Sequence, residues 1–575
     1  MRRNGGTSGQ PGFESGGEPA DGGGAVEPSQ APAPRGSGGG GGKRAAVRAL
    51  RRFMPGPTAG GDSGPTEVPI EEGRIRSGRL AGLSMWTAIW VLSWPVLIES
   101  FLNALVGLVD TTLAASLSEA ATDAVGAASY FLWFIGLVGM AIGVGVTAMI
   151  SRSMGKGRVA AANAALGQAA QLAVYAGAAT AVMIFALAPA IADLLAMRGE
   201  SREMAIDYLR ILAFGVPAQT LLLSSIAACR GAGDALKPLK IMVVVNAVNI
   251  VVSFALSGAN VGFTSVNDAG EAVTNVVVPA VGTFGYGLTG IAWGSVIAWY
   301  VGAALMLLTL VRGTHGLRLM AKRLKPHAST MRRLVRVGTP NFFETFGMWF
   351  GNFLIIFLVG RIASGAYAGG AGAEQTGLLG SHIVSIRIEA FSFLPGFAMS
   401  MAAATLAGQY LGAGSPGLAR LAIQRCTVIA AAIMAMFGVA FITIPERIVG
   451  VFSQQATHLE LSPDLLFICG ITQIPFAIAI CVRGAMRGAG DTRVVMILTL
   501  VSTYLVRLPL AWLATGVVLE FGDVTIPNPD PLRTVLGVDI HPLVALWLAL
   551  CSEHVIRCVL FLLRFAHGGW KDAKV

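Results

Sequence analysis

Twelve apolar stretches, each close to membrane-spanning length, run along this chain of 575 residues. A helix needs about 20 residues to cross the hydrocarbon core of a bilayer. The stretches lie at 84–115, 126–150, 163–191, 205–228, 239–257, 287–311, 334–360, 378–404, 421–444, 463–486, 494–517 and 541–565. Because they are continuously apolar and lack the alternation of barrel strands, we predict an all-α membrane protein with twelve transmembrane helices.

The composition excludes a water-soluble enzyme. Only 13% of the residues are charged, whereas soluble domains carry about 25%. The sequence lacks the HExxH, P-loop and GxSxG patterns that mark common catalytic and ATP-binding sites. Its six cysteines form no CxxC pair and lie in or beside apolar segments, so we interpret them as core residues. We therefore predict no enzyme activity, no metal site and no cofactor apart from a coupling cation.

The first 80 residues differ from the rest. They are rich in glycine and proline and contain no sustained apolar run. Such a segment cannot bury enough apolar surface to offset the entropy of ordering, so we predict a disordered cytoplasmic tail over 1–80. A basic patch within it can contact anionic lipid head groups, although a solvated patch is the simpler interpretation. The patch comprises Lys43, Arg44, Arg48, Arg51 and Arg52.

Loop charges predict the orientation. One set of alternating loops, together with the carboxyl end, holds 21 lysines and arginines, and the other set holds five. The positive-inside rule places the basic set in the cytoplasm, so both termini are expected there, in a cell-membrane protein. The net charge of +10 is then mainly an orientation signal. Because the charge is not concentrated on one face, we expect no nucleic-acid partner.

The two halves of the chain repeat each other. Arg230–Asp234 (RGAGD) recurs identically as Arg487–Asp491, and two other segments match in the same order. Six spans per half give both halves the same orientation, as in the parallel repeats of secondary transporters. We predict an amino-terminal six-helix lobe at 81–311, a basic linker at 312–336, a carboxy-terminal six-helix lobe at 337–567 and a short cytoplasmic tail at 568–575.

Ionisable residues inside a bilayer are costly and are therefore functional candidates. In the first span Glu99, Asn103 and Asp110 lie within about 40° of one another on a helix. Asp110 lies about 16 Å beyond Glu99 along the axis. Such a carboxylate can exchange a proton or hold Na⁺ with neighbouring oxygens. The alternative is a carboxylate that pairs only structurally.

The second half holds a different set of candidates. Glu344 in the seventh span is the repeat partner of Glu99, but Ile355 stands at the position that corresponds to Asp110. In the eighth span His382 and Glu389 share one face, and Arg387 points elsewhere. We predict that Glu344, Glu389, His382 and Arg387 serve the substrate cavity. A packing histidine is the alternative for His382, and a charge-neutralising role is open for Arg387.

These motifs together resemble the multidrug and toxic compound extrusion (MATE) family, prokaryotic branch, over about 83–567. The resemblance is carried by Pro95–Glu99 leading to Leu108–Thr111, Gly155–Gly157, Arg230–Asp234, Ser381–Gly396, Gly408–Gly414 and Arg487–Thr492. It implies a two-lobed bundle of six plus six helices. It also implies export of organic, often cationic, compounds against H⁺ or Na⁺ that enters down its gradient.

The resemblance also assigns roles to single residues. Asp110 matches the family's coupling carboxylate, and Asn249 matches the asparagine of an Asn-xxx-Asp pattern in the fifth span. Ser253 stands where that pattern has its aspartate, so Glu99 is a candidate for the second acid. The expected coupling set is Asp110, Asn249, Glu99 and Ser253. Whether it takes H⁺ or Na⁺ stays open.

Three rival functions can be weighed on the sequence. A lipid-linked precursor flippase of the same superfamily favours a basic cavity, whereas the candidates here are acidic. A membrane hydrolase needs a paired nucleophile and base, and a non-transporting scaffold does not need intramembrane acids in duplicated lobes. We expect small-molecule substrates, contact with membrane lipid and a monomer.

Overall fold

The computed structural model describes residues 75–195, 197–266, 272–279, 285–367, 375–521, 524–534, 537 and 540–575. The chain divides into two units, 1–61 and 62–575, and all described residues belong to the second. Residues 1–74 of the predicted tail lie outside the described part. Residues 75–80, which the prediction also placed in the tail, contribute the buried side chains of Ile75 and Leu80 to the folded unit.

Twelve long helices account for most of the described residues. They are α1 (Met85–Ala115), α2 (Glu119–Gly155), α3 (Val159–Leu194), α4 (Gly199–Gly231), α5 (Leu236–Ser257), α6 (Gly287–Arg312), α7 (Ala328–Ala363), α8 (Leu378–Gly412), α9 (Pro416–Thr443), α10 (Ala456–Ala489), α11 (Thr492–Thr515) and α12 (Pro542–His567). Within the described residues eleven are long and apolar enough to span a membrane, and α10 adds a bent twelfth. The predicted membrane fold is confirmed.

Two spans are irregular, and both lie in the second half. The two parts of α10 meet at an angle of 58°. Pro475 lies just after that break and removes a backbone donor, which favours a bend. Helix α11 contains a π-helical segment at Ser502–Arg507, followed by Pro509. Such wide turns re-aim side chains, and this one presents Ser502 and Thr503 to Arg557 of α12.

Short hairpins follow the fifth and eleventh spans. Strand β1 (Val261–Val266) pairs antiparallel with β2 (Ala272–Val278). Strand β3 (Leu519–Phe521) pairs with β4 (Val524–Ile526). The sequence repeat predicts long connections at both places. In the structure each of the two connections contains an antiparallel hairpin. A short helix, Pro531–Thr534, follows β4 in the same connection, and another, Pro445–Phe452, lies between α9 and α10.

Three of the four apolar clusters are each built mainly from one half of the chain, and the fourth combines residues of both halves. Two clusters are built mainly from α1–α6, and a third from α7–α12. The fourth joins the first half of α1, including Ile89 and Val96, to buried residues of α8, α9, α10 and α12. The carboxy-terminal half of α1, including Leu113, packs with the amino-terminal helices. Helix α1 therefore contributes to both lobes.

Glycines seal the lobes together at the end of the molecule that carries the basic loops. Gly155 of α2 lies so close to the carbonyl oxygen of Gln409 in α8 that a Cβ there would clash with it. Gly412 meets the Arg152 carbonyl in the same way, and Gly408 meets the Ser151 side chain. Only glycine allows backbones to approach this closely. We call these contacts the glycine seal.

Two hydrogen bonds reinforce the glycine seal. Gln409 Nε2 donates to the Gly231 carbonyl at 2.9 Å, and Thr405 Oγ1 donates to the Arg230 carbonyl at 3.2 Å. The acceptors belong to the first RGAGD motif, and the donors belong to α8 of the other half. The repeated motif of one lobe is thus held directly by the other lobe.

The predicted carboxy-terminal tail, 568–575, folds back on the same end. Trp570 is fully buried and stacks on Phe565 with ring centroids 5.5 Å apart. The Ala573 carbonyl accepts a hydrogen bond of 2.6 Å from Arg152 Nη1. The tail therefore links α12 to α2 across the lobes.

Candidate functional site

Asp110 lies in the carboxy-terminal half of α1, next to the amino-terminal core. Its neighbours Val109 and Leu113 pack into that core. The charge of Asp110 also acts on the hydroxyl of the buried Tyr208. The Oδ1 atom is buried and has no hydrogen-bond partner among the described residues. An acceptor that is buried and unpaired in this way is costly unless a proton or cation joins it.

Asn249 and Ser253 lie on α5, which packs against α1. Both are buried, at 4% and 0% exposure. Asn249 Nδ2 donates to Ser295 Oγ of α6 at 2.9 Å, which leaves the buried Oδ1 without a partner in the described structure. Ser253 Oγ donates to the Ile291 carbonyl at 3.4 Å. The adjoining helices α1 and α5 therefore each carry one unpaired buried oxygen.

Glu99 belongs to a different site from Asp110. Its carboxylate accepts a 2.5 Å hydrogen bond from Arg230 Nη2, and Arg230 is the first residue of the RGAGD motif at the end of α4. Glu99 is 5% exposed. The structure therefore makes Glu99 the acid of an ion pair near the glycine seal and does not bring it to the expected coupling set.

Glu344 repeats this arrangement in the second lobe. Arg487, the first residue of the second RGAGD motif, lies 2.8 Å from the carboxylate, and Thr499 Oγ1 donates to it at 2.9 Å. Glu344 is fully buried, so the structure places it in an internal ion pair and not on the predicted open cavity. Each lobe thus ties its first helix to the end of its fourth by a glutamate–arginine pair.

We expect Glu344→Gln to destabilise the folded protein by about 3 kcal/mol, since it leaves the half-buried Arg487 without its anion. Unfolding of the purified protein in detergent would measure the change. The matched control is Asp193→Asn, which breaks the exposed pair with Arg202 and should leave the free energy of unfolding almost unchanged. Equal effects of the two variants would contradict a structural role for the Glu344 pair.

The predicted residues of α8 occupy three different environments. His382 is 1% exposed, and its Nδ1 accepts a 3.0 Å hydrogen bond from Trp547 Nε1. This is a packing histidine, so the structure favours the alternative over a cavity position. Arg387 is exposed. Glu389 is half-buried, and its charge interacts with that of Arg507 on α11.

Sequence reasoning missed several charged groups between α10, α11 and α12. Glu553 is fully buried and lies 2.7 Å from Arg557 Nε. His554 stacks on Phe476 with centroids 4.4 Å apart, and Arg483 Nη1 contacts Met348 Sδ at 3.2 Å. The sequence could have indicated these residues, because any ionisable residue within an apolar span is a functional candidate.

These groups change the charge expected for the second lobe. Its internal acids are Glu344, Glu389 and Glu553, and its internal arginines are Arg483, Arg487, Arg507 and Arg557. The arginines outnumber the acids, contrary to the acidic set that the sequence suggested. The first lobe instead holds Asp110 without a cationic hydrogen-bond partner among the described residues. The two lobes therefore differ in electrostatics although they share a fold.

A resident transition-metal site finds no support in the described part of the chain, where no three His, Cys, Asp or Glu residues cluster in a way that could hold a metal ion. The unpaired oxygens of Asp110 and Asn249 are hard ligands of the kind that suit a proton or an alkali cation. The chemistry that this site supports is reversible binding of a small cation.

Comparison with known proteins gives consistent results. The family model described as MatE matches residues 95–255 and 340–513. A probable multidrug resistance protein NorM of Thermotoga maritima is 26% identical over 494 residues, which cover 84% of this chain and 93% of that protein.

Solved structures share the fold at low sequence identity. A MATE protein crystallised in complex with MaL6 has a TM-score of 0.70 and 17% identity, and the match covers 85% of this chain and 98% of that one. A transporter of the MOP superfamily from Pyrococcus furiosus, described as having a binding pocket of reverse polarity, has a TM-score of 0.69 and 18% identity, with 84% and 96% coverage.

Proposed function

Because the chain belongs to the MatE family, we propose that it is an antiporter that exports organic, cationic or amphipathic compounds from the cytoplasm in exchange for H⁺ or Na⁺. Members of this family are multi-pass membrane transporters and not enzymes, and the relatives are named as multidrug resistance proteins. The resemblance seen in the motifs is thereby confirmed. The coupling ion, the class of substrate and the cytoplasmic location of both termini are the proposed part.

The single observation that carries the coupling proposal is the pair of buried, unpartnered oxygens on Asp110 and Asn249. A group that binds a cation reversibly must offer free acceptors in one state, and such acceptors are expensive to bury without a reason. Ser295, which accepts from Asn249, orients the amide so that its oxygen stays free. We assign the coupling step to Asp110 and Asn249, with Ser253 one turn further along the helix of Asn249.

The proposed cycle uses the two ends of the molecule in turn. The glycine seal closes the end that carries the basic loops, which orientation by charge places in the cytoplasm. The structure then corresponds to a stage closed to the cytoplasm. A proton or Na⁺ arriving from outside neutralises Asp110, which lowers the cost of burying it and lets α1 shift while the substrate leaves.

Uptake into everted membrane vesicles tests this function, because their cytoplasmic face points to the medium. A fluorescent organic cation is added to the medium, and a gradient of H⁺ or of Na⁺ from the lumen to the medium is imposed in turn. We expect accumulation driven by one of the two gradients, which identifies the ion. Vesicles with an empty vector are the control. Transport that needs neither gradient would contradict antiport.

A lipid-linked precursor flippase is the second candidate, and the excess of arginine in the second lobe favours it. Arg483, Arg487 and Arg507 would suit an anionic pyrophosphate group better than a cation. The same vesicles distinguish the two functions. Absence of cation efflux under both gradients, together with movement of a fluorescent lipid pyrophosphate between leaflets, would replace the antiporter with the flippase.

A further inference from the structure

A basic pocket lies beside the glycine seal, at the junction of the two lobes. Its cavity volume is about 200 Å³, and it is formed by the end of α2, the turn into α3, the start of α7 and Val575. Its polar lining consists of four cations and two hydroxyls, from Arg152, Lys156, Arg158, Arg333, Ser153 and Thr330. We call it the junction pocket.

The positive charge of the junction pocket is only partly compensated. Arg152 Nη1 donates to the Ala573 carbonyl, but its buried Nε has no hydrogen-bond partner in the described structure. Arg333 donates to a carboxylate oxygen of Val575, the last residue of the sequence, so this anion offsets part of its charge. The charge of Asp572 acts on Arg152, whereas Lys156 and Arg158 are exposed at the mouth. A net positive pocket remains, with a free donor on Arg152.

The position of the junction pocket suits a lipid. The turn at 156–158 joins two spanning helices, α2 and α3, so it lies where the membrane ends. Met149, Ala161 and Ala164 add an apolar wall. Basic pockets between transmembrane helices at this level attract anionic head groups, and arginine forks fit phosphate oxygens in pairs.

We propose that the junction pocket binds the phosphate group of an anionic phospholipid from the leaflet at the basic end. Arg152, Lys156 and Arg158 belong to the first lobe, and Arg333 begins α7 of the second. A phosphate held by both sets joins the lobes beside the glycine seal. The bound lipid therefore favours the state in which that end is closed, and it leaves when the lobes separate there.

Binding to the purified full-length protein tests the proposal without reference to transport. Short-chain phosphatidylglycerol, short-chain phosphatidylcholine and inorganic phosphate are titrated separately in a neutral detergent, and binding is followed by native mass spectrometry and thermal stability. We expect saturable binding of phosphatidylglycerol. Arg333→Gln should raise its dissociation constant about fivefold, and the double variant Lys156→Gln/Arg158→Gln about 25-fold.

Arg332→Gln is the matched control, since Arg332 is an exposed neighbour on α7 that does not line the pocket. It should leave the dissociation constant unchanged. If Arg332→Gln weakens binding as much as Arg333→Gln, the attraction is diffuse and the proposal is overturned. Equal binding of phosphatidylcholine overturns it too. If inorganic phosphate binds with the same dependence on Arg333 and phosphatidylglycerol does not, the pocket recognises a soluble phosphate, and the lipid assignment is wrong.

Discussion

Asp110→Asn should reduce gradient-driven efflux of a fluorescent cation to the level of vesicles that carry an empty vector. The amide cannot lose a proton, and it offers no negative charge to Na⁺, so the site can no longer alternate between two charge states. The substitution preserves the size of the side chain and changes only its charge. Because Oδ1 is buried, a change of charge there has a large energetic effect. Efflux under the driving gradient is the measurement, at matched amounts of protein in the membrane.

One control variant and one companion variant make this result interpretable. Asp193→Asn removes an exposed carboxylate that pairs with Arg202, and it should leave efflux unchanged. Asn249→Ala removes the second unpaired oxygen and should weaken coupling as well. If Asp110→Asn were to transport at the normal rate, the assignment of the coupling step to α1 would be refuted, while the family membership would stand.

Gly155→Val should prevent the lobes from closing at the basic end. A Cβ at this position would collide with the backbone of Gln409, which cannot rotate away as a side chain can. The hydrogen bond from Gln409 to the Gly231 carbonyl would be lost with the contact. We expect loss of efflux, and loss of disulfide crosslinking between cysteines introduced at Ser153 and Ala413, which follow in sequence the contacting residues Arg152 and Gly412.

Gly136→Ala on the same helix is the matched control. A Cβ at Gly136 would meet no atom of the described residues within 4 Å, so the methyl group should be tolerated, and it should stabilise the helix by about 0.5–1 kcal/mol. Normal efflux and crosslinking in Gly155→Val would show that the lobes do not need this close approach. Retained crosslinking with lost efflux would place the defect elsewhere in the cycle.

The fold was largely predictable because its strongest signals are local. Apolar length alone predicts the spans, and the repeated RGAGD motif with six spans per half predicts two lobes of the same orientation in the membrane. The bend in α10 and the π-helical segment in α11 were not predicted, because proline in a span indicates that a kink is possible without giving its size. The packing of α1 on both lobes depends on long-range contacts that periodicity does not encode.

The candidate site was less predictable, for a physical reason. Glu99 and Asp110 share one face of α1, so helical geometry predicted that they belong to one site. In the structure Glu99 pairs with Arg230, whereas Asp110 lies next to the amino-terminal core. Whether a buried acid has a cationic partner depends on a residue far away in the sequence. The same holds for Glu344 with Arg487, although the repeat aligns Glu344 with Glu99 and Arg487 with Arg230 and would have suggested the second pair once the first was known.

The glycine seal has a consequence for the energy of the transport cycle. Its contact surfaces are mostly backbone, so closing this end immobilises few side chains and costs little rotamer entropy. The glycine contacts themselves desolvate no ionisable side chain, so salt should affect the closing step mainly through the cations of the adjacent junction pocket. Sensitivity to the ion gradient is then confined to the Asp110 region. Closing of the basic end and coupling to the ion can therefore be changed separately by mutation.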